Sequence, residues 1–201
     1  MTGAPIDFWF EFNSPYGYIG ATLIDKLAAR WGREVVWHPF LLGVIFRETG
    51  ARPMREVPIK GAYQSRDAAR LARFYNVPYR EPDVHPFSPV AASRAFWWAD
   101  AQDRARAKQL ALAFYRAALS ENRSIATPEG AADVAAEQGW DREAALAGMA
   151  DPAVKQRLAD ETEAAKQKGV FGSPFVICDG EPFWGVDRFF VLERWLATGP
   201  F

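Results

Sequence analysis

At Ser14-Pro15-Tyr16-Gly17 a hydroxyl is followed at once by a proline, and this tetrapeptide separates an alternating apolar stretch from one with helical spacing. A serine there stands at the start of a helix, where unpaired backbone N–H groups and the helix dipole together favour an anion. Redox proteins put Cys-x-x-Cys at such a helix start, so that the favoured anion is a thiolate of their own. Here the two positions hold Ser14 and Gly17, and the single cysteine, Cys178, lies far away in the sequence. Thiol–disulfide exchange within this motif is therefore excluded. What Ser14 can do is donate its hydroxyl hydrogen to a thiolate brought by another molecule, lowering that thiol's pKa below its ordinary value of ~8.5. The same residue also reads as a plain helix N-cap, because Ser-Pro is a common helix start.

Other chemistry-bearing residues are sparse. Lys60, Tyr63, Asp67 and Arg70 fall at helical offsets of 3, 7 and 10, hence on one face, and Asp67 with Arg70 reads as a solvated ion pair. His38 and His85 have no partner at metal-ligand spacing and read as structural. Cys178 ends an apolar run and reads as an inert core thiol. The 8 tryptophans and 15 phenylalanines exceed what a core of this size needs, which allows a minority to line a site for a flat aromatic substrate.

The elements that must position Ser14 follow from hydrophobic periodicity. Alternation predicts a strand over 6–12; Tyr18, Ile19, Leu23, Ile24 and Leu27 form a helical stripe ending at Gly32, and a second strand runs over 34–42. Strand, helix and strand at this spacing make a βαβ unit with parallel strands. Helices are predicted over 43–49, 58–75, 89–101, 104–121, 128–138, 142–149 and 152–168, with cap-plus-proline starts at Thr127-Pro128 and Asp151-Pro152. Strand character returns at 175–178 and 182–184, joined by Asp179-Gly180, before a last helix over 187–196. The expected class is α/β: a thioredoxin-like domain, discontinuous over 1–42 and 169–201, interrupted by an all-helical inserted domain over 43–168.

In that frame Ser173-Pro174 falls where thioredoxin-like folds carry a cis-proline loop facing the first helix's N-terminus, a loop whose backbone can pair with an extended peptide. An ordinary edge-strand proline is the alternative. Asp187 opens the predicted last helix, where it reads as an N-cap, and its carboxylate with the free N–H groups there could also hold the ends of a γ-glutamyl group.

Composition narrows the function classes. Lys plus Arg number 24 against 25 Asp plus Glu, which suggests neither a nucleic-acid surface nor a polybasic membrane patch. One cysteine suits a reducing cytoplasm; the N-terminal stretch has no basic leader pattern, and no segment approaches the roughly 20 apolar residues of a membrane span. A cytoplasmic protein with a small-molecule partner is expected.

Taken in order, Phe12-Asn13-Ser14-Pro15-Tyr16, Pro39-Phe40-Leu41-Leu42-Gly43, Val57-Pro58-Ile59-Lys60, Asp67-Ala68-Ala69-Arg70, Gly169-Val170-Phe171-Gly172-Ser173-Pro174 and Phe183-Trp184-Gly185-Val186-Asp187-Arg188 resemble the 2-hydroxychromene-2-carboxylate isomerase family over nearly the whole chain. That family is similar to kappa-class glutathione transferases and DsbA-like proteins. The resemblance implies glutathione as cofactor and a small aromatic carboxylate as substrate: interconversion of 2-hydroxychromene-2-carboxylate and trans-o-hydroxybenzylidenepyruvate in naphthalene-type catabolism. It also implies that Ser14 contacts the glutathione sulfur, Lys60 lies near the tripeptide, Ser173, before Pro174, pairs through its backbone with the cysteinyl unit, Val186 contributes backbone, and Asp187 takes the γ-glutamyl end. Related folds make a homodimer one expected assembly. The sequence departs from the family pattern at Ala51, where asparagine is common, and at Ser173, where an apolar residue is common. A kappa-like transferase forming stable conjugates and a non-catalytic thioredoxin-fold binding module remain alternatives.

Overall fold

The computed structural model describes residues 3–201; Met1 and Thr2, which open the N-terminal stretch read above for a leader, lie outside the described residues. Strand β1 (Ile6–Phe10) pairs in parallel with β2 (Val35–Pro39), with Phe8 opposite Trp37. Helix α1 (Pro15–Ala29) makes the crossover between them. Strand β3 (Phe175–Cys178) lies antiparallel on the other side of β1, with Trp9 opposite Phe175, and β4 (Glu181–Trp184) forms the edge, giving the order β2-β1-β3-β4. Asp179 and Gly180 both have positive φ, 54° and 87°, as a two-residue hairpin turn of the primed kind requires.

Seven helices run between β2 and β3: α2 (Leu42–Thr49), α3 (Lys60–Phe74), α4 (Val90–Asp100), α5 (Arg104–Leu119), α6 (Pro128–Glu137), α7 (Arg142–Ala150) and α8 (Pro152–Gln167). Their starts are set by short polar caps. Asp103, Thr127, Asp141 and Asp151 each accept a backbone N–H from the first turn of α5, α6, α7 and α8, respectively, and proline stands at the start of α6 and α8. All seven expected helices are present, with ends shifted by at most two residues, as at the end of α5 and the start of α3. Helix α3 begins at Lys60 instead of 58, because Ile59 has φ 71° and a 3-10 turn, Met54–Glu56, precedes it. The first two strands also stop short of 12 and 42, at Phe10 and Pro39.

The last helix corrects an expectation. Val186–Arg188 is a 3-10 turn, and α9 (Phe189–Thr198) follows Arg188 with no side-chain cap. Asp187 therefore does not cap it. Gly185, at φ 98°, turns the chain so that the Asp187 carboxylate folds back over Gly185 into the space a Cβ would need.

Strand alternation divides the core between two sheet faces. Phe8, Phe10 and Val176 point toward α1, where they meet Ile19 and Ile24 and continue without a break into Phe96, Phe114 and Tyr115 of the helical segment. Trp9 and Phe175 point the other way, onto Phe40, Ile45, Ala165 and Val170. On that second face His38 stacks on Trp9 at 4.2 Å, with Nδ1 2.9 Å from Glu161 of α8 and Nε2 3.3 Å from Asp7 of β1. Its structural reading holds.

Burial opposes a charge on His38, but the hydrogen bonds and charges of Asp7 and Glu161 outweigh it and raise the pKa above the usual histidine range. The stabilisation from this cluster is full below the unfolded-state pKa of ~6.5 and is lost as pH rises through the higher folded value. Denaturant unfolding between pH 6 and 9 should show that decline. In His38→Phe, which keeps the stack on Trp9, the decline should be shallower; an identical slope would remove His38 as its source.

Candidate active site

Helix α1 starts from a junction of three segments. Ser14 is its N-cap, in extended conformation, and its Oγ accepts the Gly17 N–H at 2.9 Å. The same hydroxyl donates to the Ser173 carbonyl at 2.8 Å, across the loop that precedes β3, where Ser173–Pro174 is cis. The Pro174 carbonyl in turn accepts the Gly185 N–H at 2.9 Å, which brings the Gly185-Val186-Asp187 corner against the same loop. Ser14, Ser173 and Pro174 thus converge as expected. Val186 is buried behind them, and Asp187 is exposed beside them. Lys60 is exposed at the first position of α3, and among the described residues no hydrogen bond or ion pair joins it to the other five.

The free donors are few and specific. Pro15 has no N–H, Gly17 is committed to Ser14 and Tyr18 N–H donates to the Ser14 carbonyl, which leaves the Tyr16 N–H of the first turn without a partner among the described residues. The Ser173 N–H is likewise unpartnered among them. Two backbone donors of the residues adjoining this junction are thus open among the described residues, a feature suited to an anion carried on a peptide.

Gly17 has a steric reason to be glycine. A Cβ there would lie 2.7 Å from both Ser173 Oγ and Tyr115 Oη. A second cysteine at position 17 would therefore require Ser173 or Tyr115 to shift.

Behind Ser14 lies a residue that periodicity alone does not single out. Glu11 is 6% exposed; its main-chain carbonyl accepts from Ser14 N–H at 2.9 Å and from Tyr115 O–H at 3.1 Å, and its N–H donates to Ser173 Oγ at 2.9 Å. Among the described residues its carboxylate has only Asn13 as partner, through N–H at 2.9 Å and Nδ2 at 3.1 Å. Desolvation dominates and pushes the Glu11 pKa up to about 7, against the lowering effect of those two bonds. Asn13 also brackets Phe87, donating to its carbonyl at 2.6 Å and accepting its N–H at 2.8 Å, while His85 Nε2 lies 2.8 Å from the Asn13 carbonyl. A carbonyl can only accept, so Nε2 carries the proton. Burial lowers the His85 pKa, in keeping with a neutral ring.

Asp67 does more than its sequence spacing indicates. The expected pair with Arg70 is present, Nη2 donating at 3.0 Å, but the carboxylate also accepts from Tyr16 O–H at 3.0 Å and Tyr63 O–H at 3.3 Å. Tyr16 stands two residues after Ser14, so Asp67 ties α3 to the start of α1. Burial and then Asp67 raise the Tyr16 pKa and keep its hydroxyl protonated. Cys178 is fully buried, and desolvation, then Asp179, push its thiol up to about 11, so it is a protonated core residue as expected. Among the described residues no group of His, Cys, Asp and Glu is disposed to hold a metal ion.

A mixed sheet in this order, with a helix starting at Ser14 opposite a cis-proline and seven helices between β2 and β3, defines a thioredoxin-fold protein of the helically interrupted kind. The chain belongs to the DSBA-like thioredoxin domain family, which it matches over residues 5–197. Within that family it is 30% identical over 197 residues to a 2-hydroxychromene-2-carboxylate isomerase of Sphingobium xenophagum, covering 95% of this chain and 97% of the relative. It is 24% identical over 212 residues to glutathione S-transferase kappa 1 of Homo sapiens, covering 97% and 94%. A solved 2-hydroxychromene-2-carboxylate isomerase superposes with TM-score 0.83 at 26% identity, covering 96% of this chain and 94% of that one. The residues present fit glutathione: the site offers a hydroxyl and helix-end N–H for a thiolate and a free Ser173 N–H for a peptide unit.

Two outcomes follow from this geometry. Because the folded-state pKa of Glu11 is raised from 4.5 to about 7, its contribution to stability is full below the unfolded value and is lost as pH rises through about 7. The loss is on the order of 3 kcal/mol. Glu11→Gln, neutral throughout, should flatten this part of the pH–stability curve; a slope unchanged from pH 5 to 8 would contradict it. Gly17→Ala drives a methyl group against Ser173 Oγ and Tyr115 Oη and should cost about 1–3 kcal/mol, read as a lowered denaturation midpoint.

Proposed function

We propose that this chain is a glutathione-dependent isomerase interconverting 2-hydroxychromene-2-carboxylate and trans-o-hydroxybenzylidenepyruvate, with Ser14 holding the glutathione sulfur. The observation that carries the reading is the Ser14 hydroxyl at the start of α1, bonded to the cis-proline loop, with no sulfur at 14 or 17. Bound glutathione would supply a nucleophilic sulfur for reversible addition to a conjugated carbon, the chemistry that allows rotation about a former double bond and leaves the cofactor unconsumed.

The chain's own part is to stabilise and orient that sulfur. Ser14 O–H is donated to the neutral Ser173 carbonyl, and a thiolate is the stronger acceptor, since a charge-assisted hydrogen bond is roughly twice as strong as a neutral one. The hydroxyl turns from one to the other while its lone pair keeps the Gly17 N–H. Tyr16 N–H and the α1 dipole act on the same anion. Ser173 N–H would pair with the cysteinyl backbone, Lys60 and the Val186 backbone would contribute further contacts to the tripeptide, and Asp187 would take the α-amino group of the γ-glutamyl end. Similarity to named isomerases over nearly the whole chain supports this reading.

A second reading, conjugation in the manner of a kappa-class transferase, is favoured by the comparable coverage of the human relative. Assaying the isomerisation beside a halogenated aromatic separates the two, because an isomerase consumes no glutathione. Dialysed protein should regain isomerase turnover only on addition of glutathione, and full activity without it would sink the proposal. Ser14→Ala should lose about 1 kcal/mol of stability as a cap, whereas its turnover at neutral pH should fall about tenfold to a hundredfold and its rate–pH curve shift alkaline. Normal turnover with an unshifted curve, in protein verified as folded, would take Ser14 out of the mechanism.

A further inference from the structure

A cavity of about 380 Å³ lies within the helical segment, bounded by the first turn of α4, the start of α6, the end of α7 and the start of α8. It shares no lining residue with the candidate active site. Val90, Ala91, Pro128, Leu146 and Met149 give it an apolar wall, and Arg94 and Lys155 give it two positive charges. No Asp or Glu lines it.

Arg94 is unusual among its neighbours. Arg104 pairs with Asp100 and Arg157 with Glu161, but Arg94 enters no ion pair or hydrogen bond among the described residues, and its Nε is buried with no partner. Lys155 likewise has no carboxylate partner among them. The nearest acid on its own helix, Asp151, is spent on capping α8 through the Ala153 N–H. The Nε is closed off from the cavity, but the side chain as a whole is only half-buried and lines the wall, so its terminal N–H groups, also unpartnered among the described residues, are the ones open to an acceptor from elsewhere. The start of α4, which has no side-chain cap, adds to the positive potential of the same wall.

We propose that this cavity is a second ligand site, which takes a small carboxylate with an apolar body of about one aromatic ring. The planar fork of Arg94 suits a carboxylate, Lys155 adds a second charge at the rim, and the ring replaces water on the Val90–Leu146–Met149 side. The volume lies within the range of small-molecule pockets, roughly 300–1,000 Å³. Inorganic phosphate would satisfy the charges but leave the apolar wall wet, so it should bind more weakly. The Ser88 end of the cavity is next to Phe87, which Asn13 holds, so a ligand there sits one loop away from the Ser14 turn.

The test uses the intact protein and 4-fluorobenzoate, followed by fluorine NMR. Saturable binding is expected, displaced by benzoate and much less well by acetate or inorganic phosphate, and unchanged by excess glutathione. Arg94→Met, which keeps the apolar stem, should weaken it by at least about tenfold, and Lys155→Met by severalfold. Equal affinity in Arg94→Met and the wild type would overturn the site; so would phosphate competing as well as benzoate, or displacement by glutathione. Should Arg94→Met fail to fold, Lys155→Met on the exposed face of α8 decides the matter, because an unchanged affinity there overturns the proposal equally. Glutathione-dependent turnover plays no part in the readout, so this inference stands or falls apart from the proposed isomerase.

Discussion

The hydrogen bond from Ser14 to the Ser173 carbonyl joins positions 159 residues apart, and the rest of the site is arranged around it. It is made possible by the register of β1 against β3. Asp7 lies opposite Ile177 and Trp9 opposite Phe175, so the same register carried two residues further places Glu11 opposite Ser173. Regular pairing has ended there, yet Glu11 N–H still finds an acceptor in Ser173 Oγ. Ser173 therefore serves both strands of the junction: its side chain holds the end of β1, and its carbonyl holds the start of α1. A valine at 173 would keep the second role and lose the first. The entropic cost of closing so long a loop is met by the sheet pairing, so the junction itself adds geometry more than stability.

Glu11 shows how the sheet end manages charge. A carboxylate buried with only neutral donors is costly when ionised, and about 7 is where this one changes state. Any anion seated at Ser14 shares the same low-dielectric end of the sheet, so a charge on Glu11 and a charge at Ser14 each raise the cost of the other. The protonated acid removes that repulsion, whereas the ionised acid holds Asn13 through two donors and, through Asn13, the Phe87 loop. The two demands oppose each other, and a pKa in the neutral range is where neither dominates.

The sequence made the sheet, the helix set and the Ser14 and Pro174 positions readable, because each rests on a local signal: alternation, an apolar stripe, or a cap followed by proline. What it did not make readable depends on tertiary neighbours. Asp187 looks like an N-cap by position, but the turn at Gly185 sends its carboxylate backward and α9 starts uncapped. Asp67 looks like half of a solvated pair, and only the docking of α3 against α1 brings Tyr16 to it. Glu11 alternates with apolar residues as an outward-facing strand residue would, and becomes buried because the strand stops at Phe10 and the chain bends beneath Tyr115. Its signal was an acid three residues before a helix cap, visible but without meaning until the cis-proline loop is set beside it.

Gly17 carries the argument about chemistry further than the absence of cysteine does. In a redox protein of this fold the second sulfur projects from the first turn of the helix, and here that volume is occupied by Tyr115 Oη and Ser173 Oγ. Both atoms are engaged in the junction, Tyr115 donating to the Glu11 carbonyl and Ser173 accepting from the Glu11 N–H. A side chain at 17 would have to displace these two atoms and so strain the bonds that hold Glu11, the residue whose carbonyl takes the Ser14 N–H. The hydroxyl at 14 and the glycine at 17 are thus coupled: a tightly closed junction crowds out a resident second thiol, while the Tyr16 N–H, unpartnered among the described residues, stays at the helix end where an anion is favoured.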